Sequence, residues 1–219
     1  MISGIVLAAG SARRFGSTKQ IVPLHGKPLA QHAVDALASA GVDEIVVVTG
    51  HEAEAVEREL RLPPHGRFVR NPAHGSGQAS SLAAGLGALA ADSEATVVLP
   101  ADQPGVTDAE VRAMVDAFAR TRARIVRIAY VDAPGPALLS REVYDLASHL
   151  HGDVGARELI ASHPDWVEQV DVPFHAPPDI DRRDDLTTGL AGWSGGAPSS
   201  ARSGARSRTA RRASGRRGC

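Results

Sequence analysis

The residues with the clearest chemical potential stand in the loop that follows the first apolar run of the chain. The run is Ile5 to Ala9, and the loop after it, GSARRFGSTKQ, supplies two glycines together with Arg13, Arg14 and Lys19. Glycine lets backbone N–H groups approach a ligand closely, and turned backbone forms a concave site for anions. Arginine and lysine add the positive charge that attracts phosphate. The loop therefore predicts a phosphate-binding site, with a solvated basic loop as the simpler alternative.

Two familiar phosphate-binding motifs are absent from this loop. A P-loop requires G-x-x-x-x-G-K-[ST], whereas here five residues separate Gly10 from Gly16 and Lys19 comes two positions too late. A dinucleotide-binding fingerprint requires G-x-G-x-x-G, which the loop does not contain. The sequence therefore excludes both motifs at this position.

Three aspartates add a pattern typical of a metal-dependent phosphate site. Asp102 directly follows the apolar run TVVLPA, and Asp179 and Asp181 are spaced by two in PPDIDRRDDL. In an extended chain that spacing puts both carboxylates on one side. Mg²⁺ prefers a few carboxylates together with phosphate and water oxygens. With the cationic loop, these residues predict a site for a nucleoside triphosphate and Mg²⁺; the alternatives are a turn aspartate before Pro104 and a solvated acidic turn.

Strand-like and helix-like segments alternate along the chain up to about residue 190. Six apolar, β-branched runs predict strands: GIVLAA, EIVVVTG, RFVRN, TVVLPA, RIVRIAY and VEQVDV. Four segments predict helices: PLAQHAVDALASAG, TDAEVRAMVDAFART, SREVYDLASHL and VGARELIASH. The second of these helices opens on a capping box of Thr107 and Glu110. This alternation predicts one α/β domain over residues 1–190, with a mostly parallel sheet between two helical layers.

The predicted sheet places the chemistry at one edge. In open α/β sheets, ligands bind beyond the carboxyl ends of the strands. Both the cationic loop and Asp102 follow the carboxyl end of a predicted strand. We therefore expect the cationic loop and Asp102 to contribute to one site.

Charge divides the chain into two parts. Residues 191–219 carry seven arginines and no acidic residue, which leaves 17 Lys+Arg against 25 Asp+Glu, a net charge of −8, in residues 1–190. Ser, Gly, Ala and Arg without apolar periodicity predict a disordered tail. The simplest interpretation is an extension without a dedicated partner, and we expect no nucleic-acid partner.

Cysteine usage and apolar runs limit where the protein works. Cys219 is the only cysteine, so the chain has no internal disulfide, and a reducing cytoplasm is the expected compartment. No apolar run approaches the length that crosses a bilayer, and no signal-peptide pattern stands at the N-terminus.

The motifs together resemble the MobA-like nucleotidyltransferases, and within them the molybdenum cofactor cytidylyltransferases. The resemblance runs from about residue 4 to residue 188 in the family's order, through LAAGSARRFGSTKQ, GKPL, NPAHGSGQASSLAAGL, LPADQPGVT, GDVGARELI and DIDRRDDL. It implies the family's glycosyltransferase-A-like fold. It also implies transfer of CMP from CTP to the phosphate of molybdopterin with release of pyrophosphate, and a recipient molybdoenzyme of the xanthine dehydrogenase type.

The resemblance assigns roles to individual residues. It implies phosphate binding and catalysis by Arg14 and Lys19, and metal binding by Asp102, which acts with them in catalysis. Asp179 and Asp181 match the late acidic pair. The remaining implied binding residues lie on the nucleotide side (Leu7, Ala8, Ala9, Gly10, Gly77, Gln78, Ser80, Ser81) and on the acceptor side (Asp153, Arg157). The family pattern LAAG accompanies CTP and LAGG accompanies GTP, so Ala9 implies CTP.

Two segments depart from the family pattern. Arg182 and Arg183 replace the usual Thr-Pro after the acidic pair, and DAPGPALLS is a shortened form of the stretch that shapes the acceptor pocket in relatives. Acceptor identity therefore stays open at this point. The alternatives are a guanylyltransferase that acts on molybdenum cofactor or on a phosphorylated acid such as phospholactate, and a degenerate binding protein that escorts cofactor to a molybdoenzyme.

Overall fold

The computed structural model describes residues 1–10, 15, 18–152 and 155–188 of the chain. Its strands are β1 (Ile2–Ala8), β2 (Pro23–Leu24), β3 (Lys27–Pro28), β4 (Glu44–Thr49), β5 (Gly66–Arg70), β6 (Ala95–Pro100), β7 (Ile125–Ala129), β8 (Pro134–Ser140) and β9 (Val167–Asp171). Its helices are α1 (Leu29–Ala40), α2 (Ala53–Glu59), α3 (Gln78–Gly87), α4 (Asp108–Thr121), α5 (Tyr144–Ser148), α6 (Gly155–Ser162) and α7 (Asp185–Thr188). The predicted tail, residues 191–219, lies outside the described residues.

Seven of these strands form one sheet in the order β5-β4-β1-β6-β8-β7-β9. All neighbouring pairs are parallel except those made by β8, which runs antiparallel to β6 and to β7. Strand β1 lies between β4 and β6, which places its carboxyl end at the centre of one sheet edge. The mostly parallel sheet that the alternation predicts is thus confirmed.

Helices cover both faces of the sheet, so the fold has the three layers expected from the sequence. On one face, α1, α2 and α4 pack on side chains such as Val6, Val47 and Val97. On the other face, α3, α5 and α6 pack on side chains such as Ile5, Val46 and Val98. The alternation of neighbouring residues between the two cores is the period of a strand. Within the part of the chain that the structure describes, no helix is long and apolar enough to cross a membrane.

Local sequence explains where the predicted helices begin and end. The capping box of Thr107 and Glu110 forms at the start of α4, as predicted. Helix α1 ends at Gly41, whose φ of 81° is a left-handed conformation that glycine adopts without strain. Pro28 belongs to β3 and precedes α1 by one residue, whereas the sequence suggests it as the first helical position.

Some elements differ from the sequence-based expectations. Strand β8 was not predicted, because Pro134 and Pro136 in PGPALLS interrupt the usual strand pattern. The expected helix SREVYDLASHL is a 3-10 turn over Arg141–Val143 followed by the short α5, because its first residue, Ser140, still belongs to β8. Helices α2 and α3 were also not predicted. Helix α3 reads QASSLAAGLG, whose serines and glycines are weak helix formers.

Candidate functional site

A polar cavity of about 770 Å³ opens at the carboxyl ends of β1 and β6. We call it the polar cavity; it is lined by Leu7, Ala9, Gly10, Lys19, Gln20, Leu29, His74, Gly75, Gly77, Gln78, Ser81, Pro100, Ala101, Asp102 and Asp181. The lining comes from the loop after β1, the start of α3, the loop after β6 and the segment before α7. The cavity therefore lies at the sheet edge where the sequence predicts ligand binding.

Lys19 joins the two acidic segments inside this cavity. Its Nζ donates to Asp102 Oδ2 at 2.9 Å and to Asp181 Oδ1 at 3.1 Å. The Lys19 side chain is 12% exposed, against 33% for Asp102 and 60% for Asp181. The structure thus brings together three predicted site residues from separate parts of the chain. The positive charge of Lys19 lies between the carboxylates of Asp102 and Asp181.

Two contacts hold Asp181 in this position. Ile180 is fully buried beside Phe15 and Leu29, and its N–H donates to the Asp102 carbonyl at 3.0 Å. Behind the turn, Asp185 Oδ2 accepts from the backbone N–H groups of Arg182 at 2.6 Å and Asp181 at 2.8 Å. These two hydrogen bonds lower the pKa of the Asp185 carboxyl. The turn therefore forms with Arg182 in place of the family's threonine.

Asp179 is engaged elsewhere. Its Oδ1 accepts from Gln103 Nε2 at 2.8 Å, and Asp179 does not line the polar cavity. Among the described residues, no group of three or more His, Cys, Asp or Glu side chains is arranged to hold a metal ion. Asp102 and Asp181 remain as a pair, and a pair of carboxylates with substrate phosphates is the donor set that Mg²⁺ commonly uses. The residues present therefore fit such an ion.

The loop after β1 contributes backbone and one amide side chain. Gln20 Nε2 donates to the Gly10 carbonyl at 2.7 Å, whereas Gln20 Oε1 is buried and has no partner among the described residues. Leu7, Ala9 and Gly10 line the cavity, while Ala8 is fully buried in the core on the α1 side. Arg14 lies outside the described residues, so its role stays a prediction.

The loop before α3 closes one side of the cavity through tight packing. A Cβ on Gly50 would lie 2.5 Å from His74 Cβ and 2.9 Å from Ala9 Cβ, so only glycine allows this approach. Gly77 has a φ of 113°, again a conformation that favours glycine. His74 lines the cavity, and its Nδ1 is buried without a partner. These contacts hold the loop against the end of β1.

Neighbouring serines on α3 have different surroundings. Ser80 Oγ lies 2.8 Å from the Gly77 carbonyl and 2.9 Å from Asn71 Nδ2, which ties the helix to the preceding loop. Ser81 accepts from Asn71 Nδ2 at 3.1 Å and lines the cavity. Ser80 does not line the cavity, although the sequence resemblance implies a place on the nucleotide side for both serines.

A second cavity of about 570 Å³ adjoins the first. We call it the apolar cavity; it is lined by Leu7, Gln78, Leu82, Val98, Pro100, Gln103, Arg127, Pro134, Gly135, Pro136, Ala137, Ala156, Arg157, Ile160, Ala161, Pro164, Val167 and Gln169. Three residues line both cavities: Leu7, Gln78 and Pro100. Arg157, predicted on the acceptor side, is exposed and lines the apolar cavity, whereas Asp153 lies outside the described residues. Two ligands bound in these cavities would meet at the shared wall.

Sequence reasoning missed several residues of the site. Gln20, His74 and Arg127 have buried polar atoms without partners, and all three line a cavity. Arg127 did carry a signal, because it is a charge within the apolar run RIVRIAY. Asp185 also carried one, as a further acid in DIDRRDDL, but its contact with two backbone amides depends on the turn geometry.

Several known proteins are similar to this chain in sequence. The family model described as the MobA-like NTP transferase domain matches residues 4–167. Nicotine blue oxidoreductase of Paenarthrobacter nicotinovorans is 32% identical over 180 residues, which are 78% of this chain and 86% of that protein. The bifunctional protein GlmU of Shouchella clausii is 32% identical over 164 residues, or 74% of this chain. The chain spans only about a third, 34%, of GlmU.

Solved structures give the same result. The Rv0371c homologue from Mycobacterium sp. strain JC1 has a TM-score of 0.77 at 30% identity, covering 86% of this chain and 96% of that one. The manganese complex of Rv0371c from Mycobacterium tuberculosis has a TM-score of 0.73 at 28% identity, covering 86% and 97%. The family match and the fold lead to one conclusion: the chain belongs to the MobA-like NTP transferase domain family and is a nucleotidyltransferase of that type.

Proposed function

We propose that the chain transfers CMP from CTP to the phosphate of molybdopterin, with Mg²⁺, and releases pyrophosphate. The observation that carries this proposal is the pair of adjoining cavities, which share Leu7, Gln78 and Pro100. One cavity offers charge for a triphosphate, and the other offers apolar surface for an acceptor. Group transfer between two substrates requires that the reacting atoms meet, and the shared wall provides that meeting point.

In this proposal the polar cavity holds the triphosphate. Lys19 and Arg14 would donate to the phosphate oxygens, and Asp102 and Asp181 would hold the metal ion once Lys19 passes from their carboxylates to the phosphates. Asp179, which accepts from Gln103, stays a predicted third ligand. Bound Mg²⁺ supplies positive charge that neutralises the triphosphate oxygens. The manganese complex of Rv0371c supports a divalent cation in this family.

The reaction needs no nucleophile or general base from the protein. The acceptor phosphate is itself a nucleophile, so the protein must place it in line with the α-phosphate and stabilise the charge that develops. Lys19 is suited to this task, because its ammonium group is already held by Asp102 at 2.9 Å and is largely shielded from water. The ammonium group of Lys19 therefore already lies in the polar cavity before the substrates bind.

The base and the acceptor are assigned by separate features. Ala9 lines the polar cavity, and a Cβ that reduces the space next to the base would favour cytosine over guanine. Arg157 lines the apolar cavity from the first turn of α6, within the GDVGAR motif, and supports an anionic acceptor there. Residues 1–190 carry the activity, and a molybdoenzyme of the xanthine dehydrogenase type receives the product.

Pyrophosphate release tests the proposal. The purified chain is incubated with Mg²⁺ and each of CTP, GTP, ATP and UTP, with and without molybdopterin. We expect release with CTP only when molybdopterin is present. Release with GTP would instead make the protein a guanylyltransferase. In a parallel reaction, phospholactate takes the place of molybdopterin, and release in that reaction alone would make phospholactate the acceptor. Tight binding of CTP and molybdopterin without any release would leave a binding protein and refute the enzyme proposal.

A further inference from the structure

Arg127 lies in the middle of a four-strand row beneath the apolar cavity. Strand pairing aligns Val98 of β6 with Ala137 of β8, Ala137 with Arg127 of β7, and Arg127 with Gln169 of β9. All four residues line the apolar cavity. A charged side chain thus stands on the same strand face as Ile125, two residues earlier in β7, which is completely buried.

The guanidinium of Arg127 makes no hydrogen bond or ion pair with the residues that the structure describes. Its Nε is buried without a partner. Two arginines of β5 are, by contrast, paired with carboxylates: Arg67 with Glu44, and Arg70 with Glu57. An arginine keeps its charge at any physiological pH, and a shielded polar group without a partner is costly. Arg127 therefore has the properties of a residue whose partner is a ligand.

The other polar groups of the cavity indicate what else that ligand carries. Among its described lining residues none is acidic, so no side chain of the wall competes for Arg127. Gln103 and Gln169 donate their amide N–H groups to Asp179 and Asp171, respectively. Because a carboxylate only accepts, each amide oxygen is left for a donor in the cavity. The wall thus offers a cation, two acceptor oxygens and a mainly apolar surface.

We propose that Arg127 anchors an anionic group of the acceptor and makes the site select an anionic acceptor over a neutral one. The inference rests on the proposed function, in which the apolar cavity holds the acceptor. It names a residue from the centre of the sheet, distinct from Arg157 at the rim. The ligand class is an anion on a largely apolar body that carries hydrogen-bond donors.

Equilibrium binding tests this assignment without turnover. The full chain is first saturated with α,β-methylene-CTP and Mg²⁺, so that anionic probes are kept out of the polar cavity. Calorimetric titration then compares phenyl phosphate, benzoate and phenol on the wild type, Arg127→Met, Arg127→Lys and Arg120→Met. Arg120 is exposed on α4, across the sheet from the cavity, and serves as the matched control.

We expect phenyl phosphate to bind the wild type and Arg120→Met alike and to bind Arg127→Met at least about tenfold more weakly, as loss of a charged hydrogen bond implies. Arg127→Lys regains part of the binding, and phenol binds all four proteins equally weakly. Arg127→Met keeps or raises the melting temperature, because it removes a charge without a partner; a structural arginine would give a fall. Equal binding of benzoate and phenyl phosphate would support an anion site at Arg127 that does not distinguish a carboxylate from a phosphate.

Two results would overturn the inference: equal binding of phenyl phosphate to the wild type and Arg127→Met, or equal binding of phenol and phenyl phosphate to the wild type. The second comparison needs no variant, so it stands even if Arg127→Met does not fold. Failure of the chain to bind α,β-methylene-CTP would refute the proposed function instead, and the probes would then be titrated without nucleotide to test Arg127 separately.

Discussion

Two groups of buried polar residues at opposite ends of the central strands differ in how they are paired. At the amino end, Glu44 accepts from Ser3 Oγ at 2.9 Å and from the Ala90 N–H at 3.0 Å, and pairs with Arg67 at 2.6 Å. Burial opposes ionisation of Glu44, but the hydrogen bonds from Ala90 and Arg67 outweigh it and lower the pKa of the carboxyl. This cluster is satisfied by the protein alone.

At the carboxyl end, three buried polar atoms have no partner among the residues that the structure describes. Gln20 Oε1 and His74 Nδ1 are buried and unpaired on the polar cavity, and Arg127 Nε is so on the apolar cavity. A buried group without a partner destabilises the fold unless a ligand binds it. Thr96 Oγ1 and Ser140 Oγ, near the amino end of β6, are also buried without a partner among the described residues, but neither residue lines either cavity. The Glu44 cluster therefore stabilises the fold, whereas the unpaired atoms at the carboxyl end lie where a ligand can bind. Substitutions at the two ends should therefore affect different measurements.

The largest expected effect is on turnover. Asp102→Asn should lower kcat about 100-fold or more, because loss of one charged group at a phosphoryl centre costs transition-state stabilisation of that order. The melting temperature should change little. Steady-state assays of Asp102→Asn and of Asp116→Asn, an exposed control on α4, measure the difference. A variant that keeps more than about a tenth of the wild-type rate would refute the role of Asp102.

At the amino end, Glu44→Gln should leave kcat unchanged and lower the free energy of unfolding by about 2 kcal/mol, the value of hydrogen bonds to a charged group. Because the pKa of Glu44 is lowered in the folded protein, its stabilisation is present above about pH 4.5 and is lost as the pH falls through the folded pKa. Denaturant titrations at pH 7 and at about pH 3.5 should show the difference from wild type shrinking in acid. A loss of activity without a loss of stability would contradict the comparison.

Arg157→Ala should raise KM for molybdopterin about tenfold and leave KM for CTP unchanged. The reason is its place on the apolar cavity, away from the triphosphate. Initial rates over a range of each substrate separate the two constants. A rise in KM for CTP would move GDVGAR to the nucleotide side, and no change in either constant would make the motif structural.

Ala9→Gly should narrow the preference for CTP over GTP by several-fold, because it removes the Cβ that limits space in the polar cavity. The ratio of kcat/KM for the two nucleotides measures it. Ala8→Gly is the matched control, since Ala8 lies in the core and does not line the cavity. An unchanged ratio in Ala9→Gly would show that another residue selects the base.

The smallest effect is expected from the tail. Deletion of residues 193–219 should leave melting temperature and CTP turnover nearly unchanged, because an arginine-rich segment without apolar periodicity adds little to a core. Thermal unfolding and initial rates of the shortened chain provide the measurement. A clear fall in the melting temperature or in the rate would show that the tail contributes to the stability or the activity of residues 1–190.

The local sequence pattern predicted the parallel strands of the central sheet but not β8, which runs antiparallel to both of its neighbours in that sheet. Runs such as EIVVVT identify buried strands without any knowledge of their neighbours. Strand β8 carries two prolines and is defined by its antiparallel partners β6 and β7, which no local pattern describes. Its absence from the prediction also concealed the apolar cavity, whose wall includes Pro134, Gly135 and Pro136.

The site was predictable where residues sit directly after strands. Asp102 and Lys19 were expected in one site, and the structure places their side-chain atoms 2.9 Å apart, a contact that the sequence did not predict. The engagement of Asp179 by Gln103 was not expected, because it depends on how two loops pack. Arg127 could not be identified as a site residue without the structure, because only the strand order shows that its row of side chains faces a cavity.

One measurement tests most directly whether the two cavities form a single transfer centre. The chain is incubated with Mg²⁺, molybdopterin and CTP that carries a radiolabel in its α-phosphate, and in parallel with CTP labelled in its γ-phosphate. The account predicts that the α-label appears in the molybdopterin product in an amount equal to the pyrophosphate released, while the γ-label leaves as pyrophosphate. Appearance of the α-label only in free CMP, or transfer of the γ-label to the acceptor, would contradict it.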